Sequence, residues 1–277
     1  MTLKVLTLNL WNTSGPWEAR RPRIREWIDK LDPDVIGFQE VLRGQRIDMA
    51  SDILDGTGYA IANGAVTTMG DTDFGNAVAS RWPITEQSCV ELPQGDRSEG
   101  RCAVVVTIDA PFGDLCFTST HFNWKLHDGH SRERQVVALT DEILKRRPRG
   151  GFPPIVVGDF NAEPDSAEIR YMKGLQSLHG RSVVFFDAWA VAGDGGPGYT
   201  WSNRNAFASI ALEPERRIDY IFVGYPIRMS ERHGVGKIEA CRVVCNDEAE
   251  GVWPSDHYGV YAELRTEPLA RPRWTMS

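Results

Sequence analysis

The sequence has no apolar run approaching the roughly 18 residues that a membrane-spanning helix needs, so an integral membrane protein is not expected. Its first residues, Met1-Thr2-Leu3-Lys4-Val5-Leu6, lack the basic segment, long apolar stretch and small-residue cleavage site of an export signal. A cytoplasmic chain is the expectation. Cysteine is scarce: Cys89, Cys102, Cys116, Cys241 and Cys245 form an odd, scattered set without a C-x-x-C pair. That argues against a zinc ribbon or a disulfide framework and for buried free thiols in a reducing compartment. Basic residues are in deficit, with 31 Lys and Arg against 38 Asp and Glu and a net charge of −7. Non-specific nucleic-acid binders usually carry the opposite balance, so the charge does not favour nucleic acid as a partner. Two basic clusters remain, Arg20-Arg21-Pro22-Arg23 with Arg25, and Lys145-Arg146-Arg147-Pro148-Arg149. Beside helical patterns they read as solvated helix faces or ends.

With 277 residues, 42% hydrophobic and 25% charged, the composition is that of a globular chain with an ample core. No repeat or linker divides it. Residues 1–267 read as one catalytic domain and residues 268–277 as a C-terminal tail. Lys4–Trp11 and Val35–Val41 have strand patterns, and Ile24, Trp27, Ile28 and Leu31 mark one face of a helix, with Pro22 in its first turn and Asp32-Pro33-Asp34 as its stop. A second helical pattern spans Ile47–Leu54, and several strands lie between Tyr59 and Phe122. Val136, Leu139, Ile143 and Leu144 define a further helix, ended by Pro148 and Gly150-Gly151. Ile155–Gly158, Ile218–Val223 and Tyr258–Leu264 are strands, with a short helix near Ala167–Leu175. Hairpins mixed with strand–helix passages point to two β-sheets packed face to face with helices outside.

Polar groups sit where these strands end. Asn9, Glu40, His121, Asp159 with Asn161, Asp219, and Asp256 with His257 each adjoin an apolar strand. Burying such groups is costly unless they share partners. Carboxylates and amide oxygens without a thiolate form a hard ligand set, which favours Mg²⁺ or Mn²⁺ over zinc. A metal beside a histidine and further carboxylates suits phosphoester hydrolysis by an activated water.

Six motifs occur in order: Thr7-Leu8-Asn9-Leu10-Trp11, Gly37-Phe38-Gln39-Glu40-Val41, Thr120-His121-Phe122-Asn123-Trp124, Gly158-Asp159-Phe160-Asn161-Ala162-Glu163-Pro164, Arg217-Ile218-Asp219-Tyr220 and Ser255-Asp256-His257. Together they resemble the endonuclease/exonuclease/phosphatase superfamily from Asn9 to about Leu264. The resemblance implies a four-layer α/β/β/α sandwich of two mixed sheets and a Mg²⁺-dependent phosphoesterase in which Mn²⁺ can substitute. By position, it makes Glu40 the principal metal ligand, Asn9 its supporting amide and Asp256 a neighbour of the metal. It makes Asp159 the residue that activates water, Asn161 a phosphate holder, His257 the contact to the scissile phosphate and Asp219 the carboxylate that orients that ring. His121 resembles the second histidine of the deoxyribonuclease, sphingomyelinase and phosphatase branches. The tyrosine-bearing motif of the apurinic-endonuclease branch is not evident, whereas the tyrosyl-DNA phosphodiesterase branch shares the histidine motif.

Substrate-facing candidates are Trp124, Trp201 and Asn203, and Trp11 and Trp253 also flank the motifs. Core packing is the competing reading for each tryptophan, and a plain turn for Asn203. Arg132, Arg134 and Gln135 read as a solvated helix start, and His127, His130, His179 and His233 as surface residues. The acidic balance favours a small-molecule or headgroup phosphoester over a nuclease or tyrosyl-DNA-type substrate. A binding protein on the same fold is the remote alternative, and no substitution at Glu40, Asp159 or His257 speaks for it.

Overall fold

The computed structural model describes residues 2–95, 99–147, 151–225 and 233–269. Twelve strands form two mixed six-stranded sheets. The first contains β1 (Thr2–Asn9), β2 (Val35–Arg43), β3 (Ala60–Met69), β4 (Thr72–Ser80), β11 (Ile238–Val244) and β12 (Gly259–Arg265), in the order β11-β12-β1-β2-β4-β3. The second contains β5 (Ile84–Glu91), β6 (Cys102–Ala110), β7 (Gly113–His121), β8 (Ile155–Asp159), β9 (Phe185–Asp187) and β10 (Asp219–Gly224), in the order β5-β6-β7-β8-β10-β9.

Strand alternation explains the layers. In the first sheet Leu3, Val5 and Val35 join Val104, Phe117, Ile155, Val157 and Ile221 of the second in one buried cluster between the sheets. The intervening residues Leu6, Leu8, Ile36 and Phe38 face outward, onto α1 (Trp17–Leu31) and α2 (Met49–Leu54). On the far side, Val156, Tyr220 and Phe222 meet α3 (Gly129–Arg146) and α4 (Ala167–Met172). The result is the expected four-layer α/β/β/α sandwich. Gly37 lets the sheets close at its centre, because a Cβ there would lie 2.3 Å from Val157 Cγ2.

Several local readings need correction. Helix α1 begins at Trp17, so Pro22 lies inside it rather than in its first turn, and Asp32 ends it in the left-handed region. Strands β9 and β11 and the short helix α5 (Ala188–Ala192) had no counterpart in the sequence reading. Cys89 is exposed, while Cys102, Cys116, Cys241 and Cys245 are buried as expected, and all five are free thiols. Helix α3 ends at Arg146; Pro148, Gly150 and tail residues 270–277 lie outside the described residues.

Candidate active site

The parity that builds the core also builds the site. Asn9 of β1, His121 of β7, Asp159 of β8 and Asp219 of β10 share odd numbering with the inward residues Val5, Phe117, Val157 and Ile221, so they point between the sheets at one edge. Strand pairing places three of them in a row: His121 lies opposite Asp159 across a parallel pair, and Asp159 lies opposite Asp219 across an antiparallel one. A fifth residue, Glu40 within β2, has the wrong parity. A β-bulge between Gln39 and Val41 corrects it, with Glu40 held at φ 56°, in the left-handed region. Such bulges re-aim a side chain at the cost of local strain, about 1–3 kcal/mol for a left-handed non-glycine residue.

His257 precedes β12 and is held by an isolated bridge to Trp201, whose ring meets the imidazole edge-on at 5.0 Å. Its Nδ1 lies 3.0 Å from Asp219 Oδ2, and its Nε2 lies 3.8 Å from Asp159 Oδ2. Burial alone would push this imidazole down, but the carboxylates of Asp219, Asp159 and Asp256 outweigh it and hold the pKa well above the ordinary value. Asp159 accepts from the Asn161 backbone N–H at 2.8 Å and from Asn9 Nδ2 at 3.0 Å. Burial, then the neighbouring Asp219, push its carboxyl up to about 7. Asn161 itself has φ 50°, and its Nδ2 lies 3.0 Å from His121 Nε2 and donates to the Phe122 carbonyl at 3.1 Å.

Glu40 is half-buried, with Oε1 3.3 Å from Asn9 Nδ2 and Oε2 2.8 Å from Asn12 Nδ2. Burial raises Asp256 to about 7; His257 pulls against that shift, and Glu40 adds to it. Two carboxylates near enough to repel, with hard oxygen donors and no thiolate, fit a divalent ion such as Mg²⁺. The Asn9 amide nitrogen donates to Glu40 and Asp159 while its Oδ1 accepts from the Trp11 N–H at 2.9 Å, so Asn9 braces these two carboxylates as a donor. Asp159, Asp219 and His257 also bring ligand-type atoms within 4.8 Å of one another. Within that group Asp219 and His257 are already bonded to each other.

Glu40, His121, Asp159, Asn161, Asp256 and His257 open into a cavity of about 490 Å³ that also takes in Trp11, Trp124, Trp201, Arg101 and Arg216, while Asn9 and Asp219 lie buried behind its lining. Trp124 is 53% exposed at its rim. Asn203 does not line the cavity; it is exposed and donates to the Glu213 carbonyl at 3.1 Å. Trp253 is also absent from the lining and packs on Tyr258 at 5.7 Å. His127, His130, His179 and His233 are exposed, as expected.

Four residues that carry the site were misread or missed. Arg20, read as part of a solvated face, is fully buried. Its guanidinium bonds the carbonyls of Leu10, Asn12, Ser14 and Pro254 at 2.8–3.0 Å, tying the segment after β1 to the one before Asp256. Arg132 and Gln135, read as a solvated helix start, are buried; Arg132 pairs with Glu168 at 2.6 Å, and Gln135 bonds Asn123 at 2.7 Å. Arg101 is buried, with Nη1 3.0 Å from His121 Nδ1. None of the four lies in a motif, and their partners include residues remote in sequence, such as Pro254 for Arg20 and Glu168 for Arg132.

A profile described as the Endonuclease/Exonuclease/phosphatase family matches residues 6–257. An uncharacterized protein of Caenorhabditis elegans is 21% identical over 319 aligned positions, covering 94% of this chain and 90% of that one. Among solved structures, D. rerio TDP2 complexed with single strand DNA product is similar at a TM-score of 0.75 and 18% identity, over 95% of this chain and 99% of the other. The human Nocturnin catalytic domain with bound sulfate anion is similar at a TM-score of 0.72 and 19% identity, over 95% and 93% of the two chains. At these identities the solved structures bear on the fold.

Proposed function

The chain belongs to the endonuclease/exonuclease/phosphatase family of metal-dependent phosphoric ester hydrolases, and from that premise we propose that it cleaves a small-molecule or headgroup phosphoester, with Mg²⁺ as its ion and water as nucleophile. The observation that carries the reading is the buried Asp159–His257–Asp219 cluster facing the Glu40 and Asp256 carboxylates across one cavity. Glu40 and Asp256 would hold the ion, which when bound supplies positive charge to the phosphate oxygens. Asp159, braced by Asn9 and the Asn161 N–H, is the group that takes the proton of the attacking water. His257 presents its protonated Nε2 to the phosphate while Asp219 keeps the ring cationic and fixed at Nδ1. Asn161 and His121 stand on the opposite side of Asp159 and add polar contacts to the phosphate. Trp201 lines the cavity with a buried Nε1–H that has no partner among the described residues, which supports a contact to substrate there, with Trp124 at the rim.

The lining has five carboxylates against two arginines, which supports a compact substrate over a long polyanion. A nucleic-acid substrate is the second reading, favoured by the similarity to a TDP2 that holds single strand DNA product. The five free thiols support a reducing compartment such as the cytoplasm, with residues 1–267 read as one catalytic domain. No helix among the described residues is long and apolar enough to cross a membrane.

Initial rates on a chromogenic phosphodiester, its monoester and a single-stranded oligonucleotide test the reading, each with Mg²⁺, with Mn²⁺ and with EDTA. Metal-dependent turnover of a small ester with little salt dependence is expected. Cleavage of the oligonucleotide alone, falling steeply with salt, would replace it with the second reading.

A further inference from the structure

We propose that Cys89 and Cys102 are a redox-active thiol pair that a peroxide closes to a disulfide. The inference is independent of the hydrolase reading and concerns residues that none of the six motifs contains. Strand parity brings the two together. Cys89 of β5 lies opposite Val104 of β6, and Cys102 lies two residues before Val104, so the cysteines are diagonal neighbours on one face of the pair. That face is the inner one, since Val104 belongs to the cluster between the sheets. It meets β3 of the first sheet. There the Cys102 thiol donates to the Gly64 carbonyl at 3.6 Å, and the Cys89 thiol to the Ala65 carbonyl at 3.8 Å. Gly64 leaves them room, because a Cβ there would lie 2.9 Å from Cys89 Sγ. The two thiols are also in hydrogen-bond contact with each other.

The pair is asymmetric. Strands β3 and β5 are the edges of their sheets, so the gap between them opens to solvent and Cys89 is exposed, whereas Cys102 is 2% exposed. The bond from the Cys102 thiol holds the Cys89 thiol below its ordinary pKa, against burial and the Glu91 carboxylate. The same bond and burial raise Cys102. An accessible thiol that ionises readily, beside a second that keeps its proton, is the arrangement of an attacking and a resolving cysteine. The Cys89 sulfur attacks one oxygen of hydrogen peroxide, the O–O bond breaks, and a sulfenic acid and one water form. The Cys102 sulfur then attacks the Cys89 sulfur, the S–O bond breaks, and the hydroxide leaves as a second water with the Cys102 proton. The two thiols give up two electrons, which reduce the peroxide. The sulfurs must close from hydrogen-bond contact to about 2.05 Å. Strand β5 can yield that shift, since β6 alone holds it in its sheet among the described strands. The bond closes a ring over residues 89–102, which include Glu99 and Arg101 of the cavity lining. In a reducing compartment the dithiol is the resting form.

Peptide mapping of the full chain tests this, after brief treatment of the folded protein with hydrogen peroxide and alkylation of the remaining thiols under denaturing conditions. A Cys89–Cys102 disulfide within one chain is expected, with loss of two of the five thiols and full recovery in dithiothreitol. The buried Cys116, Cys241 and Cys245 should all be alkylated. Cys102→Ser removes the resolving thiol, so Cys89 should go on to sulfinic acid, which dithiothreitol does not reverse. Cys89→Ser should leave Cys102 reduced. In the unsubstituted chain, Cys89 ending as sulfinic acid, Cys89 joining two chains, or all five thiols surviving would overturn the proposal. If a variant fails to fold, the unsubstituted chain decides alone. No phosphoester enters the experiment, so a chain that hydrolyses none fails the hydrolase reading and leaves the thiol result standing.

Discussion

His257 and His121 flank the same carboxylate, with Nε2 atoms 3.8 Å and 3.4 Å from Asp159 Oδ2, and both are buried. Their far nitrogens meet opposite charges. His257 Nδ1 faces the Asp219 carboxylate, and His121 Nδ1 faces the Arg101 guanidinium, each at 3.0 Å. Burial pushes both imidazoles down, yet the carboxylates hold one well above the ordinary pKa while Arg101 and His257 help to push the other well below it. Position in the fold is therefore not what gives a histidine its role here. The charge behind each ring helps to set the direction in which its pKa is pushed.

Removing the cationic member should have the largest effect. His257→Ala deletes the charged donor, and a fall in kcat of about 10³-fold is expected from initial rates on the chromogenic diester. Converting it toward its neutral counterpart is milder. Asp219→Asn keeps the shape but removes the charge that holds His257 protonated, and about a 100-fold loss in kcat is expected, with the loss growing as pH rises.

The proposed Mg²⁺ would sit at Asp256, one of the carboxylates that raise the His257 pKa. Asp256 is raised to about 7, so its neutral form is the one the fold favours, and its stabilising contribution is lost as pH rises through that value. An ion replaces the proton there, so the increase in Tm on adding Mg²⁺ should be larger at about pH 8 than at about pH 5.5. At about 100 times the Kd the expected gain is about 2.7 kcal/mol, at roughly 2–4 °C per kcal/mol. Equal shifts at both pH values would contradict ion binding at these carboxylates.

The smallest expected effect is that of the neutral member on stability. A folded-state pKa below the unfolded one means that His121 costs stability as pH falls below the unfolded value of about 6.5. His121→Gln should therefore flatten the acid-side loss measured by urea unfolding, with a slope change of up to about 1.4 kcal/mol per pH unit for the one proton involved. An unchanged slope would show that the ring is not held neutral.

The strand-end polar residues were legible because sheet parity is written in the sequence: Asn9, His121 and Asp159 end apolar strands, Asp219 opens one, and all four point inward with the core residues of the same parity. Glu40 was legible as a motif but not as geometry, since the bulge that turns it inward depends on its pairing with β4. The short or exposed strands gave little signal; β5 buries few of its residues, and β9 has only 3. Arg20 was misread because a charged run looks solvated by composition, whereas its partners are carbonyls as far as 234 residues away. Arg101 lies 20 residues from the ring it bonds, so its partnership is set by the β6–β7 hairpin and by no motif. Asn203 shows the opposite failure: a polar residue beside a motif that the loop turns away to its own backbone.

The most direct measurement is the initial rate of phosphodiester hydrolysis by the full chain and by Asp159→Asn, with saturating Mg²⁺ and with EDTA, on protein shown to be folded. Metal-dependent turnover that falls by at least about 10³-fold in the variant is the expected result. Turnover that persists in EDTA, or that is retained by Asp159→Asn, would contradict metal-assisted hydrolysis at this site.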